Sequence, residues 1–308
     1  WYSPDDGAHW QSLRLNLPIV PIHDLVFKNG DIVLATHGRS FYIMDDITSL
    51  EQMSDAVVAS ESHLFKPRDQ YRLASDGGGR GGFGGGGPAQ ALTPENAPIH
   101  PTGQNPPSGV VVQYWLKSAN QEVSLDFLDA AGKTIRTYTS KQDSVAAAAA
   151  AAQPAPDEGG GRGNAPPPRV ANRRGVNTFV WNMRYPDAAN FPGMILWAAN
   201  VTGPLVPPGT YKVRMNIAGK PVATETFSVL PDPRVKVTLA DWQEQSRLAL
   251  QIRDRFSEAN EGVKEIRRVK AEVADRQSKI PAAQQDAYSA LSAAFTRALS
   301  EVEDSLYQ

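Results

Sequence analysis

Few side chains in this sequence combine a type and a spacing that could do chemistry. His37-Gly38-Arg39 and Asp45-Asp46 bracket one short run, Ser40-Phe41-Tyr42-Ile43-Met44. Carboxylates beside a cation suggest glycoside hydrolysis, which needs two carboxyl groups facing a scissile bond across a cleft. Asp45 and Asp46 are neighbours at a strand end, so their side chains should leave on opposite faces and cannot form that pair with each other. Either one would need a carboxylate from elsewhere. A sialidase would also need several arginines around the substrate carboxylate, and Arg39 stands alone. His37 and Arg39 fall in a turn, where they either contact a ligand or belong to a turn held by an Arg–Asp pair. His9, His23, His63 and His100 show no metal-ligand spacing, so no metal site is expected. Trp181, Tyr185, Phe191 and Trp197 could offer faces to a sugar ring, or instead form a core and its lid.

Composition removes other classes. The 308 residues include no cysteine, which excludes disulfides, thiolate zinc sites and cysteine nucleophiles. Net charge is -2, so no bulk field recruits nucleic acid. No apolar run reaches the roughly 18 residues of a membrane span. Arg80-Gly81-Gly82-Phe83 looks like an RGG segment, but one arginine neutralises almost no phosphate. The same glycines match a dinucleotide fingerprint trivially, with no strand leading in and no helix following, so no cofactor is expected.

The elements that must position these residues are short strands, then helices. Asp24–Lys28 and Ile32–Thr36 flank Asn29-Gly30-Asp31, a hairpin turn because Asn and Gly tolerate positive φ. Phe41–Met44 adds a third strand, making a meander of the kind that builds a propeller blade. Residues 51–106 read as a connector, with one strand at His63–Lys66 and a Gly/Pro-rich stretch expected to be mobile. Alternating runs at Val110–Leu116, Val123–Leu128, Thr134–Tyr138, Asn177–Asn182, Gly209–Met215 and Thr224–Val229 predict a β-sandwich over 107–231, interrupted by an insertion at about 141–173. Beyond Asp232-Pro233 the period becomes helical. Thr238 with Asp241 is a helix start, and Trp242, Ala249, Phe256 and Val263 repeat every seven residues beside Ile252, Ala259, Ile266 and Val273. A break at Ser278–Pro281 predicts a second, antiparallel helix over the remainder of 232–308. One hairpin covers only part of these seams, so a further helix or domain is expected against them.

Ser3-Pro4-Asp5-Asp6-Gly7-Ala8-His9-Trp10 fits the Asp-box pattern S-x-D-x-G-x-x-W of bacterial neuraminidase repeats. There Ser3, Asp5, Gly7 and Trp10 would be structural: the carboxylate takes turn N–H groups, the glycine supplies a left-handed dihedral, and the Trp packs under the turn. Leu17–Leu25 and Ala35–Asp46 resemble the last blade of Asp-box propellers labelled glycosyl hydrolase, neuraminidase-repeat or sortilin-type. The resemblance runs on through Leu64–Arg68, Phe191–Trp197 and the first helix. Asp129-Ala130-Ala131-Gly132, Gly175–Asn182 and Pro207–Tyr211 are similar to the immunoglobulin-like domain of flagellar hook-capping proteins, although Trp181-Asn182-Met183 departs from its usual Trp-Asp-Gly.

The resemblance implies a multidomain, mainly β chain. Residues 1–50 would be the last blades of a propeller and 107–231 an immunoglobulin-like sandwich, with a C-terminal helical hairpin following. It implies an extracytoplasmic protein, with this chain a fragment whose partner blades and signal peptide lie upstream. The function expected is structural and non-catalytic, in a parent that binds peptide or protein. Two rivals stand beside it: an accessory region of a glycoside hydrolase with its carboxylates on other blades, and a sandwich that binds glycans. Whether the parent is an enzyme is left open by these residues. His37, Arg39, Asp45, Trp181 and Trp197 are the candidate ligand contacts.

Overall fold

The computed structural model describes residues 1–3, 5–73, 106–141, 168–191, 194 and 201–306. The chain divides into two compact units, one of Trp1–Ala149, Pro166–Met183 and Pro207–Val237, the other of Ala150–Ala165, Arg184–Val206 and Thr238–Gln308. Among the described residues no helix is long and apolar enough to cross a membrane.

In the first unit, β1 (Ile22–Lys28), β2 (Asp31–Thr36) and β3 (Phe41–Met44) form an antiparallel meander in sequence order. Asn29 and Gly30 both take positive φ, 53° and 78°, and Lys28 pairs with Asp31 across them. This is the primed turn whose twist matches that of the flanking strands. Two short helices follow, α1 (Thr48–Gln52) and α2 (Asp55–Ala59). The Ser54 hydroxyl caps α2 by accepting the Val57 N–H at 3.3 Å, which occupies a donor that would otherwise have no intrahelical partner.

Two sheets then pack face to face. One has the order β5 (Gln70–Arg72), β11 (Lys220–Pro231), β10 (Gly209–Ile217), β7 (Val123–Leu128), β8 (Thr134–Thr139). The other runs β4 (Ser62–Leu64), β6 (Val110–Leu116), β9 (Gly175–Trp181). Alternation in β6 buries Val110, Val112, Tyr114 and Leu116 completely. Across the gap Phe127 of β7 stacks on Trp181 of β9 at 4.6 Å, and Tyr138 of β8 meets Phe179 at 4.7 Å. Burial of each such side chain contributes about 1.5–3 kcal/mol. At the mouth of β6, Gly109 lies where an added Cβ would sit 2.3 Å from the Trp181 carbonyl oxygen, so no other residue fits there.

A buried carboxylate ties three strands of the larger sheet. Asp126 accepts from the Thr137 hydroxyl (2.7 Å), Asn216 Nδ2 (2.9 Å) and Arg214 Nη2 (2.8 Å). Burial resists its ionisation, but these hydrogen bonds outweigh that and hold its pKa below the ordinary value.

The sheets correct one expected boundary. Residues 62–72, read as connector, supply an edge strand to each sheet: β4 pairs antiparallel with β6, and β5 parallel with β11. The physical reason is apolar: Leu64 and Phe65 are almost wholly buried. A second difference concerns 184–206, expected within the sandwich, which belongs to the helical unit. Ala189 N–H donates to Ser257 Oγ at 3.1 Å, and Asn260 Nδ2 donates to Ala189 O at 2.6 Å.

In that second unit, α3 (Leu239–Ser278) starts at the expected capping box, with Thr238 Oγ1 accepting from Asp241 N–H and the Asp241 carboxylate accepting from Thr238 N–H. A 3-10 turn at Ala282–Gln284 leads into α4 (Gln285–Leu306). The hairpin is antiparallel: Glu303 accepts from both Arg267 and Lys270 at 2.7 Å, while Gln277 donates to Ser289 at 3.0 Å. Val263 and Ile266 of the predicted seam are buried, whereas Ile252, Leu291 and Phe295 remain exposed.

Because Trp181 is sealed between the two sheets, Trp181→Ala should cost about 3–5 kcal/mol of stability. Denaturant unfolding followed by tryptophan or far-UV signals checks this; a loss below 1 kcal/mol would mean that the ring is not a core element.

Candidate functional site

The residues singled out by sequence fall mainly on the meander and on the hairpin that precedes it. In that hairpin Tyr2 and Gln11 bridge antiparallel. Ser3 Oγ accepts from Gly7 N–H at 2.7 Å, and Asp5 Oδ1 accepts from His9 N–H at 2.8 Å. Gly7 takes φ 95°. Trp10 lies beneath the turn and donates its indole N–H to Gly7 O at 3.0 Å. Ser3, Asp5, Gly7 and Trp10 are thus joined in one hydrogen-bonded turn. His9 adds a contact the sequence reading lacked, its Nδ1 lying 2.6 Å from Asp5 Oδ2. That hydrogen bond lowers the Asp5 pKa.

Between this hairpin and the meander lies an open cavity of about 1250 Å³. Its floor is one face of the sheet, where the register aligns Leu25 with Leu34 and Tyr42, and Phe27 with Ile32 and Met44. Trp1, Trp10 and Leu15 line the other side. The opposite face of the same sheet carries Val26, Val33, Ala35 and Phe41 in register, interspersed with Asp24, Lys28 and Asp31. Phe27 is 64% exposed on the first face and Phe41 70% on the second. An ordinary surface sheet is apolar on one face only.

At one end of the meander, Arg68 gathers acidic residues. Its Nη1 lies 2.7 Å from Asp31 Oδ1 and 3.9 Å from Asp46 Oδ1, and it also donates to Gly30 O at 3.4 Å. Asp46, at φ 54°, donates its own N–H to Asp31 Oδ1 at 2.9 Å and accepts from Thr48 N–H at 3.2 Å. Burial disfavours ionisation of Asp31, but the Asp46 N–H and the guanidinium win and its pKa falls. Asp45 is left outside this pairing. Partial burial first, and the Asp31 charge second, raise its pKa above the ordinary value. Asp31 is therefore held as an ionised structural group, whereas Asp45 is displaced in the direction a proton donor needs.

At the other end, the His37–Ser40 turn is held differently from the expected Arg–Asp pair. Thr36 N–H and its hydroxyl both donate to Ser40 O, at 3.2 and 2.7 Å, and His37 N–H donates to Pro21 O at 3.0 Å. His37 Nδ1 meets His23 Nε2 at 3.1 Å. Among the described residues Arg39 makes no ion pair, and it is exposed. His23 was passed over because sequence spacing alone does not pair it with His37. Counting outward from the Asn29-Gly30 turn sets His23 opposite Thr36, and only the register shift at His23 brings it to His37.

The aromatic platform does not form. Trp181 is completely buried, with its indole N–H unpartnered inside the core, so it presents no face to a ligand. Phe191 is buried beneath Arg267, whose guanidinium carbon sits 4.6 Å from the ring centre. Trp197 lies outside the described residues.

No protein-family model and no curated protein matches the chain. Among solved structures it is similar to the crystal structure of CopC from Methylosinus trichosporium OB3b, at 14% identity over 42% of this chain and 82% of that one, with a TM-score of 0.20. At that score the likeness carries no argument.

The Arg68 cluster gives opposite pH signatures. Asp45, whose folded pKa is raised, favours the fold below its unfolded pKa and opposes it once pH rises through the folded value. Asp31, with a lowered folded pKa, contributes above its unfolded pKa and loses that contribution as pH falls through the folded one. Asp45→Asn should therefore raise Tm modestly at pH 7, with the gain fading below about pH 4. Asp31→Asn should lower Tm at pH 7. Thermal unfolding across pH distinguishes the two; equal shifts of the same sign would contradict the cluster.

Proposed function

We propose that this chain is a structural, protein-binding part of an extracytoplasmic Asp-box propeller, without catalytic residues of its own. The observation that carries the reading is the meander: a three-stranded sheet with exposed large apolar side chains on both faces, Phe27 on one and Phe41 on the other. Such a sheet is built to be flanked on each side, as blades are in a propeller. The Asp-box hairpin beside it and the two-sheet body behind it fit the same reading. The body acts as an immunoglobulin-like module that carries and presents the blades.

The lowered pKa of Asp31 and its ion pair with Arg68 argue against a carboxylate pair here. Asp45 is the one specific feature that favours the accessory role in a glycoside hydrolase, since a raised carboxyl pKa suits a general acid. Burial of Trp181 removes the main support for glycan binding by the sandwich.

A glycosidase and glycan-array screen on the full-length parent, run beside this chain, tests the proposal. Silence from both, with capture of extended peptides by the parent from a peptide library, is the expected outcome. Hydrolysis by the parent that is lost in Asp45→Asn would overturn the non-catalytic role. Glycan binding by the isolated chain would return function to the sandwich.

A further inference from the structure

The two histidines at the open end of the meander are not used by the propeller reading, and their arrangement is unusual for a strand and a turn. In β1, Ile22 pairs with Thr36 and Asp24 with Ala35, which leaves His23 as the extra residue of a β-bulge. A bulge re-aims the side chain it carries. His37 is fixed from the other side by its N–H bond to Pro21 O and by the closed turn behind it, where Gly38 and Ser40 take φ 71° and 63°. The result brings His23 Nε2 to 3.1 Å from His37 Nδ1, with the rings tilted by 47°. Both side chains are exposed. Two metal–nitrogen bonds of about 2.0–2.1 Å spanning that separation would subtend roughly 100° at the metal. That angle lies between the cis angle of a square plane and the tetrahedral angle.

We propose that His23 Nε2 and His37 Nδ1 chelate a divalent first-row transition-metal ion such as Zn2+. In the free pair one ring donates a hydrogen to the other. The ion takes the place of that shared hydrogen, and the donor ring carries its proton on its other nitrogen, so both rings remain neutral ligands. Among the described residues no group of three His, Cys, Asp or Glu forms around a common point, so water completes the coordination. The site is thus open, unlike a closed four-ligand structural site. Two imidazoles without carboxylates favour Zn2+, Ni2+ or Cu2+ over Mg2+ or Ca2+.

Calorimetric titration of the chain with Zn2+ should give one equivalent of binding and none with Mg2+. Nitrogen-15 NMR of the histidine rings should move His23 Nε2 and His37 Nδ1 to metal-bound positions, a readout that needs no variant. His23→Ala and His37→Ala should each weaken Zn2+ binding more than about tenfold, while His9→Ala leaves it unchanged. Absence of Zn2+ binding, ring nitrogens that do not respond, or an affinity unaffected by both variants would overturn the site.

Discussion

A single guanidinium fixes how the meander joins the rest of its unit. Arg68 reaches the hairpin turn at Gly30 and Asp31 and the strand end at Asp46, and it stands between the two edge strands β4 and β5 in sequence. The planar fork of arginine suits this, since it can serve several oxygens from one rigid group. Asp46 needs positive φ to bring its carboxylate into the cluster and its N–H onto Asp31. Aspartate is one of the few non-glycine residues that adopt such a backbone cheaply. Farther along, Ser49 N–H donates to Gln113 of β6 at 3.0 Å, so polar contacts tie the segment after the meander to the body.

The faces of the meander are left for other contacts. Leu25, Phe27 and Tyr42 line the cavity beneath the N-terminal hairpin, while Val26 and Phe41 look the other way. Three short strands with large apolar side chains exposed on both faces are a poor basis for independent stability. The two-sheet body is the opposite case. Its aromatic residues meet one another across the gap, and the buried carboxylate of Asp126 is satisfied by three partners on neighbouring strands.

Much of this was legible in the sequence where a local rule governs it. The Asn29-Gly30 turn, the Ser3–Trp10 turn, the alternating strands of the body and the Thr238 capping box all depend on residues close together in the chain. What escaped depends on distant pairing. Gln70–Arg72 is too short to show a period, and its place beside β11 comes from residues far downstream. Segment 184–206 carries strand-like and loop-like signals, yet Ser257 and Asn260 on the helix decide where it lies. Trp181 could be weighed either as a platform or as a core ring, and only the opposite sheet decides that. The His23–His37 contact needed both the register and a bulge that no composition rule announces.

The pairing of β4 and β5 with strands far downstream also bears on how such a protein can change. Arg72 and Val110 both sit in strands of one body, as do Thr139 and Gly175. Each of these ends is held by strand pairing within the body. Lengthening a tether between pinned ends costs only about 0.6 kcal/mol for each doubling. These two junctions are therefore where evolution could splice in new sequence, or an engineer a reporter domain, while leaving the barrier against unfolding almost untouched.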